Sequence, residues 1–144
     1  MRQLVEDLLA HREQIKQGGG PEKVARQHAA EKLTARERLA LLIDEGTWVE
    51  LGIHGQPHFS QASMAGRDAP ADGVITGYGR VDGRLVAVAA YDFTVMAGAM
   101  GMTGELKVTR LRARGDRGPG PAAARRRSRR AQRAQRAQRA GPHI

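Results

Sequence analysis

The sequence contains no cysteine, which excludes disulfides, cysteine-ligated zinc and a thiol nucleophile. Aromatic residues are scarce, with one Trp, two Tyr and two Phe. All five (Trp48, Phe59, Tyr78, Tyr91 and Phe93) lie outside the basic C-terminal stretch, so none interleaves with its arginines as nucleic-acid recognition favours. No run reaches the ~18 apolar residues of a membrane span. The opening MRQLVEDLLAHREQ is acidic and amphipathic and has no apolar signal core. These absences predict a soluble, cytoplasmic protein.

What is present is unevenly distributed. The 144 residues allow one domain of ordinary size and carry a net charge of +9. Residues 1–112 hold 14 basic and 14 acidic side chains, whereas residues 113–144 hold ten Arg and one Asp. The tail therefore carries all of the charge. Of its 32 residues, 25 are Arg, Ala, Gly or Pro, and it includes the repeat AQRAQRAQRA. Such a stretch cannot bury enough apolar surface to offset ordering entropy, and disorder is expected. Two origins remain open. A basic tail would bind phosphate backbones or acidic surfaces through charge, making the chain a nucleic-acid-binding protein. Alternatively, a GC-rich gene read out of frame produces this composition.

Residues 2–16 place Leu4, Val5, Leu8, Leu9 and Ile15 at helical spacing,. Gly18-Gly19-Gly20-Pro21 stops that helix, and Pro21 suits the first turn of a second one reaching Glu31. Thr34-Ala35-Arg36-Glu37 reads as a capping box. It opens a third helix with Leu39, Leu42 and Ile43 on one face, ending at Gly46. Arg36 and Arg38 are expected in solvent. Trp48–Leu51 is a short strand candidate, and residues 53–71 read as a long loop.

Val74–Val81 and Leu85–Ala90 are β-rich runs joined at Asp82-Gly83, a strong hairpin signal. The second run is apolar throughout, which predicts burial on both faces and a layered α/β arrangement. A glycine- and methionine-rich turn follows, and Thr103 is placed to cap a helix carrying Leu106, Val108 and Leu111. The methionines of that turn read as packing filler. His54 and His58 offer no helical metal-binding geometry. Gly77-Tyr78-Gly79 lies within a strand run, with no lysine after it, and is not a phosphate loop. The even spacing of Asp72, Asp82 and Asp92 gives little support to paired-carboxylate chemistry.

Three blocks, KLTARERLALLIDEGTWVELG (32–52), DGVITGYGRVDGRLVAVAAYDFT (72–94) and VMAGAMGMTGELKVTRL (95–111), resemble in order and spacing the start of the β-type carboxyltransferase subunit of biotin-dependent acyl-CoA carboxylases. The resemblance covers residues 1–112 and implies an α/β fold, the start of a crotonase-like β-β-α spiral preceded by helices. The implied reaction moves a carboxyl group from carboxybiotin to the α-carbon of an acyl-CoA. The biotin is carried by a partner, and no biotin-attachment motif surrounds the lysines. The resemblance also implies a biotin carboxylase or carrier subunit and further carboxyltransferase protomers as partners. It places Ala97, Gly98, Ala99 and Gly101 where crotonase-fold proteins bring backbone to the CoA thioester. Ala97 stands where many relatives have glycine. A steric need for small residues at a strand-to-helix turn would account for the same pattern. The family's second glycine-rich segment and its biotin-receiving half have no counterpart here. Residues 1–112 are thus expected to be a partial unit without turnover of its own, with exposed apolar surface.

Overall fold

The computed structural model describes residues 1–58, 62 and 66–115. Residues 1–112 form one unit. Residues 113–115, at the start of the tail expected to be disordered, are helical; the rest of the tail and part of the 53–71 loop lie outside the described residues.

Three helices open the chain: α1 (Arg2–Lys16), α2 (Pro21–Ala29) and α3 (Ala35–Leu42). The glycines between α1 and α2 do more than end a helix. A Cβ on Gly18 would lie 2.6 Å from an Asp92 carboxylate oxygen, and one on Gly19 would overlap the Thr94 carbonyl. The Gly19 amide donates to Thr94 Oγ1 at 2.9 Å. Only glycine lets this linker lie against the far end of the sheet.

The capping box forms as read. Thr34 Oγ1 accepts from the Glu37 amide, and the Thr34 amide donates to Glu37 Oε2 at 2.7 Å. The end of α3 differs from expectation. The helix stops at Leu42 with Ile43 extended, and Gly46, at φ +70°, belongs to the following turn. Ala35, Leu39 and Ile43, four residues apart, are buried, whereas Leu42 is exposed. A spacing of four keeps residues on one stripe, and Leu42 falls to its side.

The sheet has strands β1 (Val49–Leu51), β2 (Val74–Val81) and β3 (Arg84–Tyr91) in that order, all antiparallel. Asp82 and Gly83 both take positive φ, +49° and +76°, as the hairpin signal requires,. The Asp44 carboxylate accepts from both of their amides, at 3.1 and 2.8 Å. This stitches the segment after α3 to the hairpin tip.

The buried strand is β2, not β3. Val74, Ile75 and Thr76 are almost fully enclosed, while Leu85 and Tyr91 on β3 are exposed. An all-apolar run shows that both faces tolerate burial, but the strand's position decides whether it happens. Among the described residues, β2 lies between two neighbours and β3 is an edge. On one face, Val86, Val88 and Ala90 pack with Ile75, Leu39 and Ile43 beneath α3. Gly77 and Gly79 share that face with Val88 and Val86. A Cβ on Gly77 would sit 2.7 Å from the Trp48 ring, and one on Gly79 2.6 Å from Ile43. These glycines seat the indole and α3 on the sheet.

Helix α4 (Met102–Gly115) covers the opposite face at the start of β2, where Gly104 abuts Val74. Gly104, Lys107, Val108 and Leu111 form its buried stripe, and Leu106 is exposed. The arrangement is layered: α3, sheet, α4. In α1 only Ile15 is buried; Leu4, Val5, Leu8 and Leu9 are exposed.

Candidate functional site at the glycine turn

β3 leads through Asp92-Phe93-Thr94 into the turn that precedes α4. Asp92 is buried. Its Oδ1 accepts from the Thr94 amide at 2.9 Å and the Thr94 hydroxyl at 2.6 Å, and its amide donates to the Gly73 carbonyl at 2.9 Å. These bonds fix the direction in which the chain leaves the sheet.

Met96, Ala97 and Gly98 then take φ of +48°, +53° and +77°. Such a run is unusual, because an L side chain in left-handed backbone costs about 1–2 kcal/mol. The Gly98 and Ala99 amides close the turn on Val95 and Met96 carbonyls at 3.0 Å. Ala97 and Ala99 are exposed, and Gly98 and Gly101 are half-buried. All four sequence-selected residues therefore fall on one short surface turn at the start of α4. Two cavities, of about 290 and 480 Å³, lie elsewhere, around Gln17–Pro21 and around Trp48.

The α4 N-terminus is not capped by Thr103, which lies within the helix. The Asp72 carboxylate, 32 residues upstream, accepts from the Gly104 amide at 2.7 Å. A capping carboxylate satisfies an orphan donor and meets the positive end of the helix dipole. That amide is thereby withdrawn from any ligand.

Charged side chains tie this region and its surroundings together in ways the sequence did not show. Lys107 is buried, and its ammonium donates to the Ala71 carbonyl at 2.9 Å and to the Val74 carbonyl. Burial lowers its pKa to about 8; Glu50 and Asp72 pull the other way, and Arg36 adds to the lowering,. Arg36, expected in solvent, instead forms a bidentate pair with Glu50 on β1, at 2.7 and 3.0 Å. A readable signal existed for Lys107, which lies on the stripe of Gly104, Val108 and Leu111. None existed for Arg36 and Glu50, which the fold alone brings together.

His54 stacks on His11, with ring centroids 5.5 Å apart. Among the described residues, no three His, Asp or Glu side chains gather for a metal ion, and no helix is long and apolar enough to cross a membrane.

The carboxyl transferase domain family matches residues 26–115. The chain is similar to the methylmalonyl-CoA decarboxylase subunit alpha of Propionigenium modestum, at 47% identity over 97 residues, covering 67% of this chain and 19% of that protein. It is similar to a putative propionyl-CoA carboxylase beta chain of Bacillus subtilis, at 42% over 113 residues, covering 77% and 21%. Among solved structures it resembles the hexameric transcarboxylase 12S with methylmalonyl-coenzyme A and methylmalonic acid bound. The TM-score is 0.73 at 41% identity, covering 77% of this chain and 22% of that one. The chain thus spans about a fifth of the length of the curated relatives it matches. These matches lend no support to the nucleic-acid alternative.

Proposed function

The chain belongs to the carboxyl transferase domain family, and from that membership we propose that residues 1–112 are part of an acyl-CoA carboxyltransferase subunit, holding its substrate at the turn Ala97–Gly101. The carrying observation is the family match over residues 26–115, which spans both the hairpin and the turn. The β-β-α unit is crotonase-like, the fold shared with its solved relatives.

The reaction class sets the chemical demand. Removing the α-proton of an acyl-CoA makes an enolate, whose oxygen needs preorganised donors. At Ala97 and Gly98 the left-handed run carries no large side chain, which leaves the backbone of the turn open to a ligand. Carboxybiotin would come from a partner carrier. Biotin carboxylase or carrier subunits and further carboxyltransferase protomers are the partners in this reading, in the cytoplasm. Residues 113–144 stand outside the unit as a product of a shifted reading frame, since the family match stops at residue 115, within three residues of the change in composition.

The test uses the full chain. Equilibrium dialysis should show retention of propionyl-CoA, while methylmalonyl-CoA and free biotin should give no carboxyl transfer. Absence of retention at millimolar thioester would overturn the substrate reading. Resequencing codons 100–145 tests the tail: another frame that continues α4 and then an apolar strand supports the shift, and an unambiguous frame as given refutes it.

A further inference from the structure

We propose that Asp72 and Lys107 are positioning residues for the glycine turn, locking the Ala71–Gly73 segment to the start of α4 so that Ala99 and Gly101 are held in one geometry. The functional consequence rests on the substrate reading above; the positioning itself does not.

Ala71, Asp72 and Gly73 have φ of +53°, +51° and +69°. This is a second left-handed run, packed at Gly73 against Val95 and Ala99, the residues that flank the first. Two of its residues carry a Cβ, so it persists only where its surroundings over-determine it. Lys107 supplies part of that determination, because its ammonium binds carbonyls at both ends of the run, Ala71 and Val74. The Asp72 amide closes on the Ala69 carbonyl at 2.9 Å, and the Gly73 carbonyl accepts from Asp92 at 2.9 Å.

The run's conformation sends Asp72 the opposite way, onto the Gly104 amide. The two side chains therefore cross one junction in opposite directions, Asp72 from the turn to α4 and Lys107 from α4 to the turn. Both are buried, at 3% and 9% exposure.

Close packing transmits this to the candidate site. A Cβ on Gly101 would strike the Asp72 carboxylate, and one on Gly73 would lie 3.0 Å from the Ala99 carbonyl. Two of the four candidate residues thus rest on Asp72 and Gly73. Side chains that merely filled space would not need an acceptor on one side and a donor on the other.

The pKa of Lys107, about 8, gives a handle that needs no substitution. The charged groups facing it are Glu50 on β1, Asp72 in the run and Arg36 on α3. In the full chain, assigned 13C methyl signals of Ala97 and Ala99 should titrate together with the Lys107 Cε signal, with a midpoint near that pKa. Alanine methyls that stay flat through the Lys107 titration would overturn the proposal.

Substitution supplies the second arm. Asp72→Ala and Lys107→Met should shift the turn signals and weaken propionyl-CoA retention at least fivefold. Asp72→Asn, which keeps an acceptor oxygen, should recover affinity to within about twofold. Equal loss in Asp72→Asn and Asp72→Ala, or unchanged turn signals in Lys107→Met, would refute the assignment. If the wild-type chain retains no thioester, the substrate reading falls while the methyl titration still decides the positioning.

Discussion

Arg36→Ala should destabilise the chain more than Glu50→Ala, although both break the same ion pair. The two ends differ in their surroundings: the Glu50 side chain is 5% exposed and that of Arg36 23%. Removing Arg36 strands a carboxylate between α3 and the sheet. Breaking a buried pair in this way costs about 3–5 kcal/mol. Lys107, the other cation coupled to Glu50, offsets part of that, which places the expected loss near the lower end, about 3 kcal/mol. Removing Glu50 leaves a guanidinium that reaches water, and the loss should be about 1–2 kcal/mol. Replacing both by leucine should return stability to within about 1 kcal/mol of wild type, since an apolar pair avoids the desolvation of both charges. Urea unfolding followed by the single Trp48, whose ring lies over Gly77 beside this pair, reads all three variants. Equal losses, a larger loss for Glu50→Ala, or a double variant as unstable as the sum of the two would refute the reasoning.

Gly77→Ala should cost about 1–3 kcal/mol through overpacking and shift Trp48 emission, because the new Cβ meets the indole at 2.7 Å; unchanged emission would contradict this packing. The Glu37 carboxyl is held down at about 2, first by His28 and then by the Thr34 amide and hydroxyl. A carboxylate with a lowered folded pKa stabilises fully above its unfolded value of 4.5 and loses that contribution as pH falls toward about 2,. The stability gap between wild type and Glu37→Gln should close over that interval when urea midpoints are compared. Lys107 has the opposite sense: the unfolded chain keeps its proton up to 10.5 and the folded chain releases it at about 8. The unfolded state therefore binds more protons in that window, and stability relative to Lys107→Met should rise with pH across it.

The hairpin was legible because two local signals agree, apolar runs on either side and a pair of residues that accept positive φ between them. The capping box was legible for the same reason, since both partners lie within four residues. Burial of β3 was not, because an apolar strand records tolerance of cover, and whether cover exists depends on strand order. Thr103 looked like the cap of α4 because local rules see only neighbours. The group that caps it, Asp72, arrives from the turn before β2, 32 residues upstream. The candidate turn was marked by the family resemblance, since its small residues alone are equally accounted for by a close strand-to-helix turn. The stripe of α4 could have marked Lys107 as buried, but the partners of Asp72 and Lys107 stayed hidden because both side chains bind backbone atoms more than 30 residues away.

The most direct measurement is a titration of the 15N-labelled full chain with propionyl-CoA, observing assigned backbone amides. Saturable shifts should centre on Ala97, Gly98, Ala99 and Gly101, with the Gly104 amide, buried beneath the turn against Asp72, moving least among its neighbours. Shifts that avoid residues 97–101, or a Gly104 amide that moves most, would contradict it.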